Sequence, residues 1–172
     1  MARGKELSAG AHVVYFLVVH LVFVTKYRRK VLSARVYDVM RAAWQETCVR
    51  RECTLLETGA EMDHVHLLVA YPPKVQLSAL VQELKGLSAR RVRKRWYPEV
   101  FRILKGPAFW SPSYCAVSCG GAPLETIKEY VRTQAGVPAV GGPASGAASS
   151  PAPVATQGRG IRGFEVPERF KR

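Results

Sequence analysis

The sequence lacks the features of a membrane-spanning or secreted protein. Its longest apolar run, Val13–Val24, is interrupted by His20 and is too short to cross a bilayer. Its first ten residues are polar and mixed in charge, unlike a secretory signal peptide. We therefore expect a cytoplasmic protein.

Closely paired cysteines are also missing. The four cysteines, at positions 48, 53, 115 and 119, give the spacings C-x4-C and C-x3-C, which differ from the C-x2-C pairs of a zinc ribbon. In a reducing cytosol, the simplest interpretation is that they are small buried hydrophobic residues. We therefore do not expect a structural zinc.

Acidic residues are scarce relative to basic ones. The chain of 172 residues has 26 Lys and Arg but only 13 Asp and Glu, which gives a net charge of +13. An excess of this size is unusual for an enzyme that acts on small molecules. It favours nucleic acid as the partner, with an anionic membrane surface as the second choice.

Composition divides the chain into three parts. Residues 1–136 are long enough to form one domain with its own core. In residues 137–155, 16 of 19 positions are Pro, Ala, Gly or Ser, a composition that cannot offset its ordering entropy and predicts a flexible linker. Residues 156–172 form a basic C-terminal tail, either a disordered arm or a segment that docks on the domain or on nucleic acid.

Hydrophobic periodicity in the first part predicts the element order β-α-β-β-α-β-α. One long central strand is predicted at 12–25, a hairpin of 54–61 and 62–70 that turns near Gly59, and a last strand at 115–118. Helices are predicted after Ser33, from Leu77 to the end of a basic run, and after Pro123.

The strand at 62–70 contains a His-x-His sequence, His64 and His66. Residues i and i+2 of a strand share a face, so both imidazoles point the same way and the apolar residues between them point the other way. Such a pair could ligate a metal ion, or it could be two ordinary core or surface histidines. The pair alone does not decide between these interpretations.

Two basic patches favour contact with phosphates. Lys26–Lys30 places four cations around Tyr27, an aromatic residue available for base stacking, and the end of the second helix places six cations in eleven residues. Like charges at this density repel one another unless a polyanion is near. The candidate DNA-binding residues are Lys26, Arg28, Arg29, Lys30, Lys85, Arg90, Arg91, Arg93, Lys94 and Arg95.

Four stretches stand in an order that resembles one family: residues 26–32, KYRRKVL; 63–68, DHVHLL; 109–114, FWSPSY; and 130–134, YVRTQ. They are similar to the single-tyrosine HUH transposases of the insertion sequence 200/605 class, the TnpA proteins. The resemblance covers about residues 10–136. Each motif is weak alone, but four in this order are specific.

The resemblance implies an α+β fold, a ferredoxin-like or RRM-like antiparallel sheet with helices packed on it, the HUH endonuclease fold. It also implies a homodimer that cleaves and rejoins single-stranded DNA at hairpin-bearing element ends. We expect neither a membrane partner nor a small-molecule cofactor. By resemblance Tyr130 is the nucleophile, and His64, His66 and Gln134 bind a divalent metal, for which Mg²⁺ or Mn²⁺ is expected. Asp63, next to the histidine pair, is expected either to orient a ligand or to approach the metal from outside its ligands.

These residue types suit that chemistry. Tyr130 and Gln134 are four apart on the predicted third helix and share a face. A cation is needed to neutralise the scissile phosphate and to favour the phenolate of a tyrosine whose unperturbed pKa is about 10. The covalent intermediate conserves the phosphodiester energy, so rejoining needs no ATP.

Three alternatives remain open from the sequence. A transposase-derived protein acting on repetitive palindromic elements would share the His and Tyr motifs. A non-catalytic single-stranded nucleic-acid-binding module would explain the basic patches and aromatics, but gives no reason for the four site residues to be neighbours. A structural protein with core histidines would explain neither the net charge nor the Tyr-x3-Gln helix.

Overall fold

The computed structural model describes residues 8–10, 12–95, 98–104, 106–119 and 124–133. Its strands are β1 (Ser8–Gly10), β2 (Val13–Tyr15), β3 (Val18–Val24), β4 (Thr54–Ala60), β5 (His64–Ala70) and β6 (Cys115–Ser118). Its helices are α1 (Ala34–Arg50), α2 (Leu77–Lys94), α3 (Pro98–Leu104) and α4 (Leu124–Thr133), with a 3-10 turn at Lys26–Arg28.

Four strands form one antiparallel sheet in the order β4-β5-β3-β6. The predicted α+β class is therefore confirmed, with the His-x-His strand β5 and the apolar strand β3 in the centre. No helix in the described part of the chain is long and apolar enough to cross a membrane.

The two faces of the sheet carry different side chains. The apolar residues between the histidines, Val65, Leu67 and Val69, join the main core with the buried faces of α1 and α2. The opposite face carries His64 and His66 and is called here the histidine face. Alternation along both central strands therefore puts helix packing on one face and the polar site on the other.

The long strand predicted at 12–25 is wrong as one element. Val13–Tyr15 pairs with Ser8–Gly10 in a separate two-stranded sheet, and only Val18–Val24 lies in the main sheet. Val13 and Val14 are exposed, whereas every residue of Val18–Val24 is buried. Periodicity and β-branched content predict extended structure but not the point at which the chain changes its pairing partner.

The hairpin turn lies at 61–63 rather than near Gly59. Gly59 is inside β4, directly opposite His66. A glycine in a strand interior can mark a close approach rather than a turn, and here it leaves the place beside an imidazole without a side chain. The short helix α3 was not predicted, because seven residues give too little periodicity to reveal a helix.

The predicted helices at Ser33, Leu77 and Pro123 correspond to α1, α2 and α4. Ser33 takes the extended N-cap conformation, although its hydroxyl has no hydrogen-bond partner among the described residues. Helix α4 contains Tyr130. Gln134, the Gly120–Pro123 joint, the 137–155 linker and the 156–172 tail lie outside the described residues.

Candidate active site

The two histidines of β5 are buried neighbours on one face of the sheet. His64 and His66 are 6% and 2% exposed, and their ring centroids lie 5.0 Å apart with an interplanar angle of 70°. A central strand paired on both sides holds their backbone rigidly. The predicted common face of the two imidazoles is therefore present, and the site begins from a pre-organised pair.

The ring of His64 is oriented by an ion-paired carboxylate. One oxygen of Asp63, Oδ1, lies 2.7 Å from His64 Nδ1, and the other, Oδ2, accepts a hydrogen bond of 2.9 Å from Nε of Arg28. Burial raises the pKa of Asp63, but the hydrogen bonds from His64 and Arg28 outweigh it and leave that pKa below its usual value. Asp63 is thus anionic at neutral pH, and Nε2 of His64 stays available for a ligand.

The ring of His66 is held by His20 from the neighbouring strand. Nε2 of His20 lies 3.0 Å from Nδ1 of His66, and the two rings stack at 5.2 Å with an angle of 17°. Burial, then the nearby His20 and His64, lowers the pKa of His66 to about 3. His66 is therefore neutral at pH 7, and its buried Nε2 has no hydrogen-bond partner in the described part of the chain.

These observations fit a divalent cation. Neutral imidazole nitrogens are common metal ligands, and a buried Nε2 lone pair without a partner is the atom that a cation would satisfy. Glu61 Oε1 lies 3.9 Å from His64 Nε2, and Glu61, Asp63 and His64 each offer a ligand atom within 4.8 Å of the others. The sequence analysis missed Glu61, although its place in the hairpin connection before His64 could have indicated it.

Helix α4, which includes Tyr130, packs on the histidine face. It packs against β4 and against β5, and Val131 beside Tyr130 is fully buried. Arg132 donates a 2.6 Å hydrogen bond to Glu57, which pairs with Leu68 and so shares the face of His66. The helix that bears the predicted nucleophile and the strand that bears the predicted ligands are therefore in contact.

The corner that follows β3 presents an aromatic ring to solvent. Tyr27 is 71% exposed, and Lys26 Nζ and Arg29 Cζ lie 4.8 and 5.7 Å from its ring centroid. Tyr27 and Arg28 both have left-handed backbones, φ 59° and 51°, each of which costs about 1–2 kcal/mol for a residue with a Cβ. Hydrogen bonds from Thr25 and Lys26 to the carbonyls of residues 63 and 109 hold this conformation beside the histidines.

The basic end of α2 divides into two kinds of residue. The ammonium of Lys85 donates to the carbonyls of residues 111, 112 and 113 at 2.6–3.1 Å, which occupies its three N–H groups; burial lowers its pKa to about 8. Arg91 is paired with Glu46 at 2.6 Å. Arg90, Lys94 and Arg95 are exposed and Arg93 is half-exposed, and none of the four has an ion pair among the described residues.

Comparison with known proteins adds to this geometry. The profile of the IS200-like transposase family matches residues 13–134. The ISDra2 transposase TnpA of Deinococcus radiodurans is 32% identical over 129 residues, which are 75% of this chain and 91% of that protein. The transposase for insertion sequence element IS200 of Salmonella typhimurium is 28% identical over 131 residues, covering 76% and 84%.

A solved structure is also similar. The crystal structure of a protein assigned as a transposase from Deinococcus radiodurans R1 superposes with a TM-score of 0.61 at 30% identity, covering 74% of this chain and 98% of that one. The fold is that of the HUH class of tyrosine transposases. The chain belongs to the IS200-like transposase family, which confirms the predicted resemblance. It is thus a DNA-binding, DNA-cleaving kind of enzyme that acts in the transposition of insertion sequences.

Proposed function

We propose that this chain cleaves and rejoins single-stranded DNA at hairpin-bearing insertion-sequence ends through a 5′-phosphotyrosine on Tyr130. The observation that carries the proposal is Nε2 of buried, neutral His66, which has no hydrogen-bond partner among the described residues and lies on the same face as α4. A structural histidine would gain nothing from an unpartnered buried nitrogen. A ligand for a divalent cation requires one.

His64 and His66 would hold Mg²⁺ or Mn²⁺ together with Gln134, and Glu61 is placed to add an oxygen. When bound, the ion would neutralise the scissile phosphate and favour the phenolate of Tyr130. Asp63 and His20 hold the rings of His64 and His66 in place through hydrogen bonds at their Nδ1 atoms. Oxygen-rich coordination with two imidazoles suits these two metals, and leaves positions open for a phosphate oxygen.

The reaction at phosphorus is a transesterification. The Tyr130 oxygen attacks the scissile phosphate, the P–O bond to the 3′ oxygen breaks, and the released strand ends in a 3′-hydroxyl that has taken up a proton. Attack by a 3′-hydroxyl on the phosphotyrosine reverses these steps and rejoins DNA, and no bond energy is lost to water. Tyr27 is placed to stack an unpaired base near the histidines, with Lys26, Arg29 and Lys30 beside it for phosphates.

A labelled hairpin oligonucleotide with single-stranded flanks tests this proposal. Incubation with the protein and Mn²⁺ should give a covalent band on a denaturing gel that carries the fragment downstream of the break, joined to the protein through its 5′ phosphate. Tyr130→Phe and EDTA should each abolish the band. Tyr71→Phe, directly after the far end of β5, is the matched control and should keep the band.

Each failure has a defined meaning. A covalent band that survives Tyr130→Phe would assign the nucleophile elsewhere, and an equal band in EDTA would remove the metal. Salt-dependent binding without any covalent band would favour the alternative of a non-catalytic single-stranded nucleic-acid-binding module. A band only on hairpins from repetitive palindromic elements would favour the transposase-derived alternative.

A further inference from the structure

His20 lies outside the four motifs of the family resemblance, yet it contacts the candidate site directly. It stands on β3 opposite Leu68, two residues along β5 from His66, so its ring reaches His66 diagonally across the strand pair. His20 is 5% exposed, and its Nε2 is 3.0 Å from Nδ1 of His66. The contact is therefore a buried hydrogen bond between two imidazoles.

A hydrogen bond between two neutral imidazoles has two arrangements. In one, His66 donates its Nδ1 proton to His20, and Nε2 of His66 is a bare lone pair. In the other, His20 donates, and the proton of His66 moves to Nε2. At pH 7.5 an imidazole with the ordinary pKa of about 6.5 is mostly neutral, so the neutral forms are the relevant ones.

The surroundings of His66 distinguish these arrangements. Its Nε2 is buried, with no hydrogen-bond acceptor among the described residues. A proton on that nitrogen would be an unsatisfied buried donor and would also block metal binding. A bare lone pair there can be satisfied by a cation.

We propose that His20 is a positioning residue that accepts the Nδ1 proton of His66 and thereby keeps Nε2 of His66 free to bind a divalent cation. The role in metal binding rests on the proposed metal-dependent function, whereas the hydrogen bond between His20 and His66 does not depend on it. Asp63 stands in the same relation to His64, with Oδ1 at 2.7 Å from Nδ1. Each ligand ring is thus fixed through Nδ1 by a neighbour, one anionic and one neutral.

The first measurement reads the tautomer directly. Metal-free protein labelled with ¹⁵N-histidine is examined at pH 7.5 by long-range proton–nitrogen correlation, and His66→Gln assigns the resonances. Wild-type His66 should carry its proton on Nδ1, with an unprotonated Nε2. A proton on Nε2 of His66 in the wild type would overturn the proposal, whatever the variants do.

The second measurement compares two substitutions of His20 by calorimetric titration of Mn²⁺. His20→Gln places an amide oxygen near the former Nε2 and keeps an acceptor, whereas His20→Leu removes it at similar size. His20→Leu should weaken Mn²⁺ binding by about 10–100-fold, the usual effect of losing such a supporting contact, and should change the His66 tautomer. His20→Gln should stay near the wild type in both measurements.

Val22→Ala is the packing control, because Val22 pairs with His66 across the strands but offers no hydrogen bond. If folded His20→Leu binds Mn²⁺ like the wild type and leaves the tautomer unchanged, His20 has no positioning role. An equal loss of Mn²⁺ affinity in Val22→Ala and His20→Leu would also overturn the proposal, because a packing defect would then explain the weaker binding. If the wild type shows the expected tautomer but binds no Mn²⁺, the proposed metal function fails and the placement of the proton stands.

Discussion

Each histidine of the candidate site uses one ring nitrogen for support and keeps the other for chemistry. Asp63 fixes Nδ1 of His64 and is itself fixed by Arg28, which stands on a strained left-handed backbone. Arg28 was expected to contact DNA directly, but its Nε is already bound to Asp63. Strain held next to a functional site is consistent with selection for orientation rather than stability.

Asp63→Ala should weaken Mn²⁺ binding by about 10–100-fold, because the ring of His64 loses its orienting acceptor. Asp63→Asn keeps an oxygen but no charge, so its Mn²⁺ affinity should lie between those of Asp63→Ala and the wild type. Calorimetric titration of purified protein measures the affinity. Asp38→Ala, which removes an exposed carboxylate of α1, serves as the control. Equal affinities for Asp63→Ala and Asp38→Ala would contradict a supporting role.

Stability should depend on pH through His66. Its pKa is about 3 in the folded protein and about 6.5 when unfolded, so between these values only the unfolded chain takes up the proton. The free energy of unfolding should therefore fall as pH falls from about 6.5, by up to about 1.4 kcal/mol per pH unit from this residue. Urea unfolding in EDTA at pH 7.5, 6 and 5 measures the slope.

His66→Gln removes the titrating ring and should flatten this slope by that amount. His12→Gln is the control, because His12 is an exposed histidine outside the candidate site. A slope that is the same in the wild type and in His66→Gln would contradict the prediction.

The histidine pair was predictable from sequence and its supporting partners were not. A period of two puts His64 and His66 on one face whatever the neighbouring strands do. The place of His20 beside them depends on the register of β3 against β5, which sets Leu68 opposite His20 across 48 residues of chain. One-residue slippage would turn His20 to the other face. Local pattern carries no information on that register.

At the scale of elements, the basic end of α2 is less uniform than its sequence indicates. Lys85 ties the 111–113 loop to the helix, and Trp110 donates a 3.2 Å hydrogen bond to buried Ser88 nearby. We infer a structural role for Lys85 rather than a phosphate contact. Arg90, Lys94 and Arg95 are exposed and Arg93 is half-exposed in the helix layer, on the opposite side of the sheet from the histidine face.

Replacing Arg93, Lys94 and Arg95 with Ala should weaken the binding of all DNA sequences. If each cation meets a phosphate, the slope of log affinity against log salt should flatten by roughly 2–3. Fluorescence anisotropy with a labelled hairpin over a range of salt measures it. Lys74→Ala, which removes a cation paired with Glu52 on the loop before α2, is the control and should not change the slope.

Lys85→Met separates the two kinds of residue on the same helix. It should lower the melting temperature, because three carbonyls of the 111–113 loop lose their donor, while the salt slope stays at the wild-type value. A flatter slope with unchanged stability would instead make Lys85 a phosphate contact.

An unchanged slope in the variant with Arg93, Lys94 and Arg95 replaced by Ala would remove the end of α2 from the DNA interface.

At the scale of the whole molecule, the arrangement of α4 decides how a complete site is built. The helix packs against β4 and β5 of its own chain, and the residues that join it to β6 include Gly120, Gly121 and Pro123. Glycine tolerates backbone angles closed to other residues, so such a joint could swing a helix without melting it. Because family resemblance implies a homodimer, Tyr130 could serve its own histidines or those of a partner.

We predict that the protein is a dimer in which Tyr130 can serve the histidines of the partner subunit. Heterodimers of a Tyr130→Phe protomer and a His64→Ala protomer, purified through two different tags, test this with the covalent-band assay. In a trans arrangement the intact Tyr130 of one protomer meets the intact His64 and His66 of the other, so one of the two sites is complete. The heterodimer should therefore form the covalent band at about half of the wild-type yield. Each mutant homodimer should stay inactive. In a strictly cis arrangement both protomers of the heterodimer lack one component, and no band should form. Verified heterodimers without activity would therefore confine each Tyr130 to its own sheet, where α4 already contacts the strand that carries His64 and His66.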